Sequence, residues 1–219
     1  MPFSQRLLDI TSHIDALSVP QSFTLLAVTK GVAPILMREA YRAGLTAFGE
    51  SYWQEATLKQ AALSDLAIEW HFIGRLQRNK CALIAEAFDW VQSVAHWHHA
   101  ELLARARESS AKPPLNICVQ VNLNAEPQKD GVAASELVSF IRSLAVLPAL
   151  RVRGLMYIPP ANQPPPFDAL MALFRQVSTE VAMPETWDTV SMGMSNDYPA
   201  ALLAGSTLIR IGSKLFKEE

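Results

Sequence analysis

The sequence predicts an α/β fold, a single TIM (β/α)8 barrel with an extra N-terminal helix, and three observations carry that expectation. Short apolar runs alternate with helix-period segments from one end of the chain to the other, which implies parallel strands joined by helices. The alternation repeats eight times within 219 residues, a length that suits one compact barrel. No G-x-G-x-x-G or Walker loop follows the first strand, where a doubly wound open sheet, the competing architecture, usually carries one. Residues 1–219 read as one domain, with no linker, repeat or charge block to mark a boundary.

Each element has its own signal. Residues 5–17 predict the extra helix, with apolar side chains at 7, 8, 10, 14 and 17. The first strand is the apolar run 23–29, and the helix 34–43 after it starts at Pro34 and stops at Gly44. A short second strand at 47–49 leads into a helix over 52–63. The third strand is 68–73, with a helix starting near Asn79, and the fourth is 89–94, with a helix over 97–107. Pro113 and Pro114 introduce the fifth strand, 115–123, and a helix covers 134–147. The sixth strand, 151–157, runs into the proline-rich loop 159–166, the helix 167–181 and the seventh strand, 189–192. A short helix at 198–203 precedes the eighth strand, 207–211.

Composition narrows the function classes. Half the residues are hydrophobic and the net charge is −2, so no general attraction to nucleic acid or anionic lipid is implied. The two cysteines, Cys81 and Cys118, match no metal-ligand spacing and make no disulfide framework. The N-terminus lacks the pattern of a signal peptide, and no apolar stretch is long enough to span a bilayer. A soluble, cytoplasmic protein is expected.

Active-site residues of a TIM barrel lie at the C-terminal ends of its strands. That rule selects Lys30, the segment 49–51 with Glu50 and Ser51, His71 to Gly74, Asn122 and Asn124, Met156, Met194 and Ser195, and Arg210 with Gly212. Lys30 is the most informative of them, because an apolar strand that stops at one amine must let that amine reach solvent, pair it, or lower its charge by burial. In the last case it becomes a nucleophile toward carbonyls. Barrels also bind phosphate in the loops after the seventh and eighth strands, where this chain carries Gly193, Ser195, Gly212 and Ser213. An amine, a phosphate cradle and the cation Arg210 together describe a site for pyridoxal 5′-phosphate.

These residues fall in longer segments: Leu25-Leu-Ala-Val-Thr-Lys30, Phe48-Gly-Glu-Ser-Tyr-Trp-Gln-Glu55, Trp70-His-Phe-Ile-Gly-Arg-Leu-Gln-Arg-Asn-Lys80, Arg153-Gly-Leu-Met156, Ser191-Met-Gly-Met-Ser195 and Ile209-Arg-Ile-Gly212. Through them the chain resembles the pyridoxal-phosphate homeostasis protein family, related to the barrel half of alanine racemase. The resemblance covers nearly the whole chain. It implies an imine between the cofactor and Lys30, phosphate held by Ser195, Gly212 and Ser213, Arg210 near the pyridine nitrogen and Met156 beside the ring. It departs from the family at Ser51, where asparagine is usual, at Val32, where many members carry a second lysine, and at Tyr157, where a smaller residue is common. By strand alternation Tyr157 faces the helix shell. Ser51 and His71 complete the expected cofactor-binding set, with His71 read either as a satisfied core histidine or as part of the site.

A guanidinium has only donors and stays charged, so beside Arg210 a pyridine nitrogen stays unprotonated and the ring is a weak electron sink. Racemisation also needs acid–base groups on both faces of its substrate, and no second base is evident before the chain ends at Glu219. The function expected is therefore storage of vitamin B6 and its delivery to apo-enzymes, by a monomer with no dedicated reaction and no metal. The alternative is a pyridoxal-phosphate-dependent racemase or lyase acting on an amino acid. Other candidates receive bland readings. His96, His98 and His99 read as a solvated helix end, and Arg75, Arg78 and Lys80 as a basic loop. Glu50 and Glu55 could pair as acid and base, but Glu55 falls on the predicted helix and reads as a surface residue. Lys129 reads as solvated, with transient imine exchange as its functional option.

Overall fold

Alternation between inward and outward side chains builds the barrel. The computed structural model describes residues 1–124, 130–160, 163–181 and 186–217. After helix α1 (Phe3–Leu17) come β1 (Thr24–Val28), α2 (Pro34–Arg42), β2 (Ala47–Glu50), α3 (Trp53–Ala62), β3 (Glu69–Phe72), α4 (Cys81–Ala87), β4 (Trp90–Val94), α5 (Trp97–Ser109) and β5 (Leu115–Asn122). The second half holds β6 (Val132–Ala133), α6 (Leu137–Leu144), β7 (Leu150–Met156), α7 (Phe167–Val181), β8 (Thr189–Met194), α8 (Tyr198–Leu203), β9 (Leu208–Ile211) and α9 (Ser213–Phe216).

The strands pair in parallel in the order β4-β3-β2-β1-β9-β8-β7-β5, and β4 also pairs with β5, which closes the TIM barrel. Closure removes the free sheet edges on which other chains could pair. Outward-facing Ala27, Phe48, Phe72, Val91, Ile117, Leu155, Val190 and Ile209, one from each barrel strand, are buried in one continuous core under the helices. Inward-facing residues form two smaller groups, Leu26, Ala47 and Leu208 on one side and Trp90, Cys118 and Met156 on the other. Helix α1 buries Phe3, Leu7, Ile10 and Ile14, spaced three and four apart. It is tied to the end of the chain by the stacked pair Phe3–Phe216, centroids 5.6 Å apart, and by a 2.7 Å bond from Arg6 Nε to the Leu215 carbonyl.

The two-residue β6, paired with β5 at Val121 and Asn122, and the terminal helix α9 are elements that sequence periodicity does not reveal, because each spans only about one period of its pattern. The helices expected at 79 and at 134–147 both begin as 3-10 turns, at Arg78–Lys80 and Ala134–Glu136. One close approach depends on glycine. A Cβ on Gly74 would stand 2.0 Å from the Ser51 carbonyl oxygen, so only glycine lets the loops after β2 and β3 meet. Cys81 and Cys118 are free and buried, and burial pushes their thiols up to about 11 and about 12. Among the described residues no helix is long and apolar enough to cross a membrane.

Candidate functional site

The C-terminal ends of β1, β7, β8 and β9 open into a cavity of about 660 Å³, a size suited to a small cofactor. Ser51, Met156, Ser195, Arg210, Gly212 and Ser213 all line it, and the proline-rich segment after β7 adds Pro159, Pro160 and Pro165. Strand register explains the inward aim of Arg210, which is paired with the interior residue Leu26 and lies two residues beyond Leu208 on the same face. The residue is 4% exposed. Nη1 donates to Ser191 Oγ at 2.6 Å and Nη2 to the Tyr157 carbonyl at 2.8 Å. Burial lowers its pKa to about 10, which leaves a cation at neutral pH.

Two loops meet beside it. Gly193 has a φ of 93°, and a Cβ there would lie 2.5 Å from the Ala201 side chain, so glycine is needed where β8 turns toward α8. Ser195 follows, and its Oγ accepts a long 3.5 Å bond from the Lys214 N–H. Gly212 and Ser213 stand next to it in the cavity wall. Asp197, also in the wall, accepts the Met194 N–H at 2.6 Å. Hydroxyls, backbone N–H groups and one buried guanidinium form a donor-rich surface that an anionic heterocycle would satisfy.

Of the settings open to Lys30 in the sequence, the structure shows the solvent-facing one. The strand ends at Val28, and Gly31, with a φ of 72°, turns the chain, so Lys30 is exposed rather than desolvated. Its amine lies 5.0 Å from the centre of the Tyr52 ring. It is not part of the cavity wall, but Val28 and Ser51, two residues before it and one before Tyr52, are. The backbone on both sides of Lys30 is held by an ion cluster, buried at Glu50 and Lys59 and half-buried at Glu55. Lys59 Nζ bonds the Thr29 carbonyl at 2.5 Å, Glu50 Oε1 at 2.7 Å and Glu55 Oε1 at 2.5 Å. Glu50 also accepts from Thr29 Oγ1 at 2.6 Å, and Glu55 accepts the Gly31 N–H at 2.6 Å. Burial pushes the Glu50 carboxyl up against the pull of Lys59 and Thr29. At Glu55 burial pushes the same way, but Lys59 and the Gly31 N–H outweigh it and the carboxyl falls below its usual range.

Sequence reasoning missed this cluster. Glu55 and Lys59 are four apart on a helix, which reads as a surface ion pair, yet Lys59 is 5% exposed and Glu50 fully buried.

His71 is buried and lies away from the mouth. Its ring stacks on Trp90, centroids 5.0 Å apart, and it lines a second cavity of about 270 Å³ with Thr24, Thr189 and Leu208, residues from the starts of their strands. It is paired with Trp90, the first residue of β4, so the stagger of the barrel carries mid-strand His71 toward the N-terminal end. A third cavity of about 260 Å³ holds Gln120, Asn122, Asn124 and Tyr157. Tyr157 belongs to the outer core, as strand alternation predicts, while its hydroxyl donates to Asn124 Oδ1 at 2.6 Å and its carbonyl serves Arg210. The rings of His98 and His99 lie 4.1 Å apart, and among the described residues no group of three or more His, Cys, Asp and Glu could hold a metal. Arg75 pairs with Asp130 at 2.7 Å. Lys129 lies outside the described residues.

Comparison with known proteins agrees with this architecture. The family model described as alanine racemase, N-terminal domain, matches residues 14–219. The pyridoxal phosphate homeostasis protein of Pseudomonas aeruginosa is 44% identical over 198 residues, 90% of this chain and 85% of that protein. Its namesake in Escherichia coli is 40% identical over 204 residues, 90% and 86% of the two chains. Among solved structures, PipY of Synechococcus elongatus with PLP bound superposes with a TM-score of 0.87 at 34% identity, covering 99% of this chain and all of that one. The alanine racemase of Corynebacterium glutamicum shares the fold at a TM-score of 0.64 and 19% identity, over 90% of this chain and 57% of the racemase.

Proposed function

The chain belongs to the family of the alanine racemase N-terminal domain, and on that premise we propose that it binds pyridoxal 5′-phosphate and serves vitamin B6 homeostasis by holding the cofactor and passing it to apo-enzymes. The observation that carries this reading is the buried, charged Arg210 in a cavity wall it shares with Met156, Ser195 and Ser213. Relatives at 40–44% identity carry the homeostasis name, and a neighbour at 34% identity was solved with PLP bound.

The residues present fit the cofactor. Ser195, Gly212 and Ser213 offer hydroxyl and backbone N–H donors for a phosphate. Arg210 offers a donor to a ring nitrogen, Met156 an apolar flank, and Ser51 a hydroxyl at the rim. Bound pyridoxal phosphate supplies an aldehyde that captures amines. Lys30 is the amine assigned to it, and their condensation to an imine releases one water. Arg210 keeps a ring nitrogen bare rather than protonated, which disfavours carbanion chemistry and favours carriage.

The visible spectrum of purified protein mixed with pyridoxal phosphate tests the reading. An imine band that borohydride removes, absent from Lys30→Ala, is the expected result. No band in the wild type overturns the cofactor assignment. Rapid stereospecific turnover of an added amino acid overturns the carrier role in favour of a racemase or lyase.

A further inference from the structure

A chain of hydrogen bonds crosses the barrel interior from Arg210 at the mouth to Glu69 at the other end. Arg210 Nη1 lies 2.6 Å from Ser191 Oγ, Ser191 Oγ 2.6 Å from Gln92 Oε1, and Gln92 Nε2 2.9 Å from His71 Nδ1. His71 Nε2 then lies 2.8 Å from Glu69 Oε1. Five residues from β9, β8, β4 and β3 take part, and Arg210, Ser191, Gln92 and His71 are 4%, 0%, 0% and 1% exposed.

The two ends fix the direction of every link. A guanidinium only donates, so Ser191 accepts from it and spends its own proton on Gln92 Oε1. The amide nitrogen of Gln92 only donates, so His71 Nδ1 must be bare. A neutral imidazole with a bare Nδ1 carries its proton on Nε2, where the Glu69 carboxylate accepts it. Stacking on Trp90 with the planes 12° apart holds the ring in that orientation.

We propose that His71, acting through Gln92 and Ser191, is a positioning residue for Arg210, and that the tautomer of its ring sets how the guanidinium is presented to a ligand in the mouth cavity. If the proton moved to Nδ1, or a second one were added, Gln92 would have to turn its amide over. Its nitrogen would then face Ser191 Oγ, and the Ser191 proton would lose its acceptor. Arg210 would be left with the Tyr157 carbonyl as its stronger anchor. Burial lowers the pKa of His71, so the neutral ring that the chain requires is the stable one at neutral pH. The charged groups around that ring are Glu69 on its own strand, Asp89 ahead of β4 and Arg153 on β7, itself paired with Asp188 at the same end of the barrel.

The inference deepens the cofactor reading and rests on it for the second of two readouts. The first is histidine-selective ¹⁵N NMR of the protein without added ligand. A bare Nδ1 and a protonated Nε2 on His71 are expected, and Gln92→Leu should move the Nδ1 signal. The opposite tautomer, or a signal indifferent to that substitution, overturns the proposal even if pyridoxal phosphate never binds. The second is the pH profile of the visible band after pyridoxal phosphate is added. Gln92→Leu and Ser191→Ala should each displace it by about one pH unit, a tenfold change in proton affinity, while Ser191→Thr, which keeps the hydroxyl, restores it. A purely structural role predicts lower stability with an unmoved profile, and that result overturns the proposal. If Gln92→Leu does not fold, a movement of the wild-type His71 Nδ1 signal on adding pyridoxal phosphate supports it and a fixed signal overturns it.

Discussion

Two buried polar groups stand on opposite sides of the same strand wall, and they solve burial differently. Outside the wall, Glu50 and Glu55 pack two carboxylates around the Lys59 ammonium, both within 2.7 Å of it. Inside, a cation and a carboxylate are separated by three neutral groups, each passing the bond onward in one direction. The compact cluster grips backbone, taking the Thr29 carbonyl and the Gly31 N–H on either side of Lys30. The extended chain grips a side chain, Arg210. A flexible turn needs anchors at its ends and gets them from charge. A rigid strand already fixes Cα of Arg210, so orientation of the head group is all that remains to be set.

The largest test breaks the outer cluster. Lys59→Met leaves two carboxylates without their ammonium, one fully buried, and should cost about 3–5 kcal/mol in urea unfolding. It should also slow capture of pyridoxal phosphate, read as the rate of appearance of the visible band, because the turn bearing Lys30 loses its anchors. An equally stable variant would show the cluster to be as dispensable as a surface pair.

Breaking the inner chain should do less. Ser191→Ala removes the link between Arg210 and Gln92 and should cost about 2 kcal/mol, with the site rather than the turn affected. Acidification sharpens the contrast. His71 is held below its ordinary value of 6.5 by burial, so the unfolded chain takes up its proton first. Stability from this group is complete above about 6.5 and falls as the pH drops through the lowered folded value. Replacing His71 with glutamine should flatten that part of a plot of Tm against pH. The smallest effect on stability belongs to Lys30→Ala, within about 0.5 kcal/mol for an exposed side chain, although the same change should abolish the imine band. A large loss of stability there would mean that the amine does structural work in the turn.

The fold was legible because its outer core obeys simple periods. Helices α7 and α8 lie where the pattern placed them, at Phe167–Val181 and Tyr198–Leu203, since each begins beside a proline and carries apolar residues on one face. Six expected site residues, Ser51, Met156, Ser195, Arg210, Gly212 and Ser213, share one cavity for the same reason, being strand ends in a closed parallel barrel. The inner chain was not legible. Gln92 and Ser191 look like interruptions of apolar strands until closure brings residues 99 positions apart within 2.6 Å. The lysines mark the same limit. The sequence left Lys30 open between solvent and burial and passed over Lys59, and structure decides both, because Gly31 turns one outward while Glu50 draws the other in.

The exposed place of Lys30, two residues beyond Val28 of the cavity wall and on a turn whose backbone is pinned, bears on how a captured ligand would leave. A covalent tether fixed deep in a barrel ties exchange to opening of the protein. A tether at the doorway would leave the bond within reach of water and of amines on other molecules, so hand-over from it would be limited by bond chemistry and not by breathing of the scaffold. Release would then respond to the concentration of acceptor amines and be insensitive to solvent viscosity, the kinetic behaviour expected of a reservoir that empties on demand.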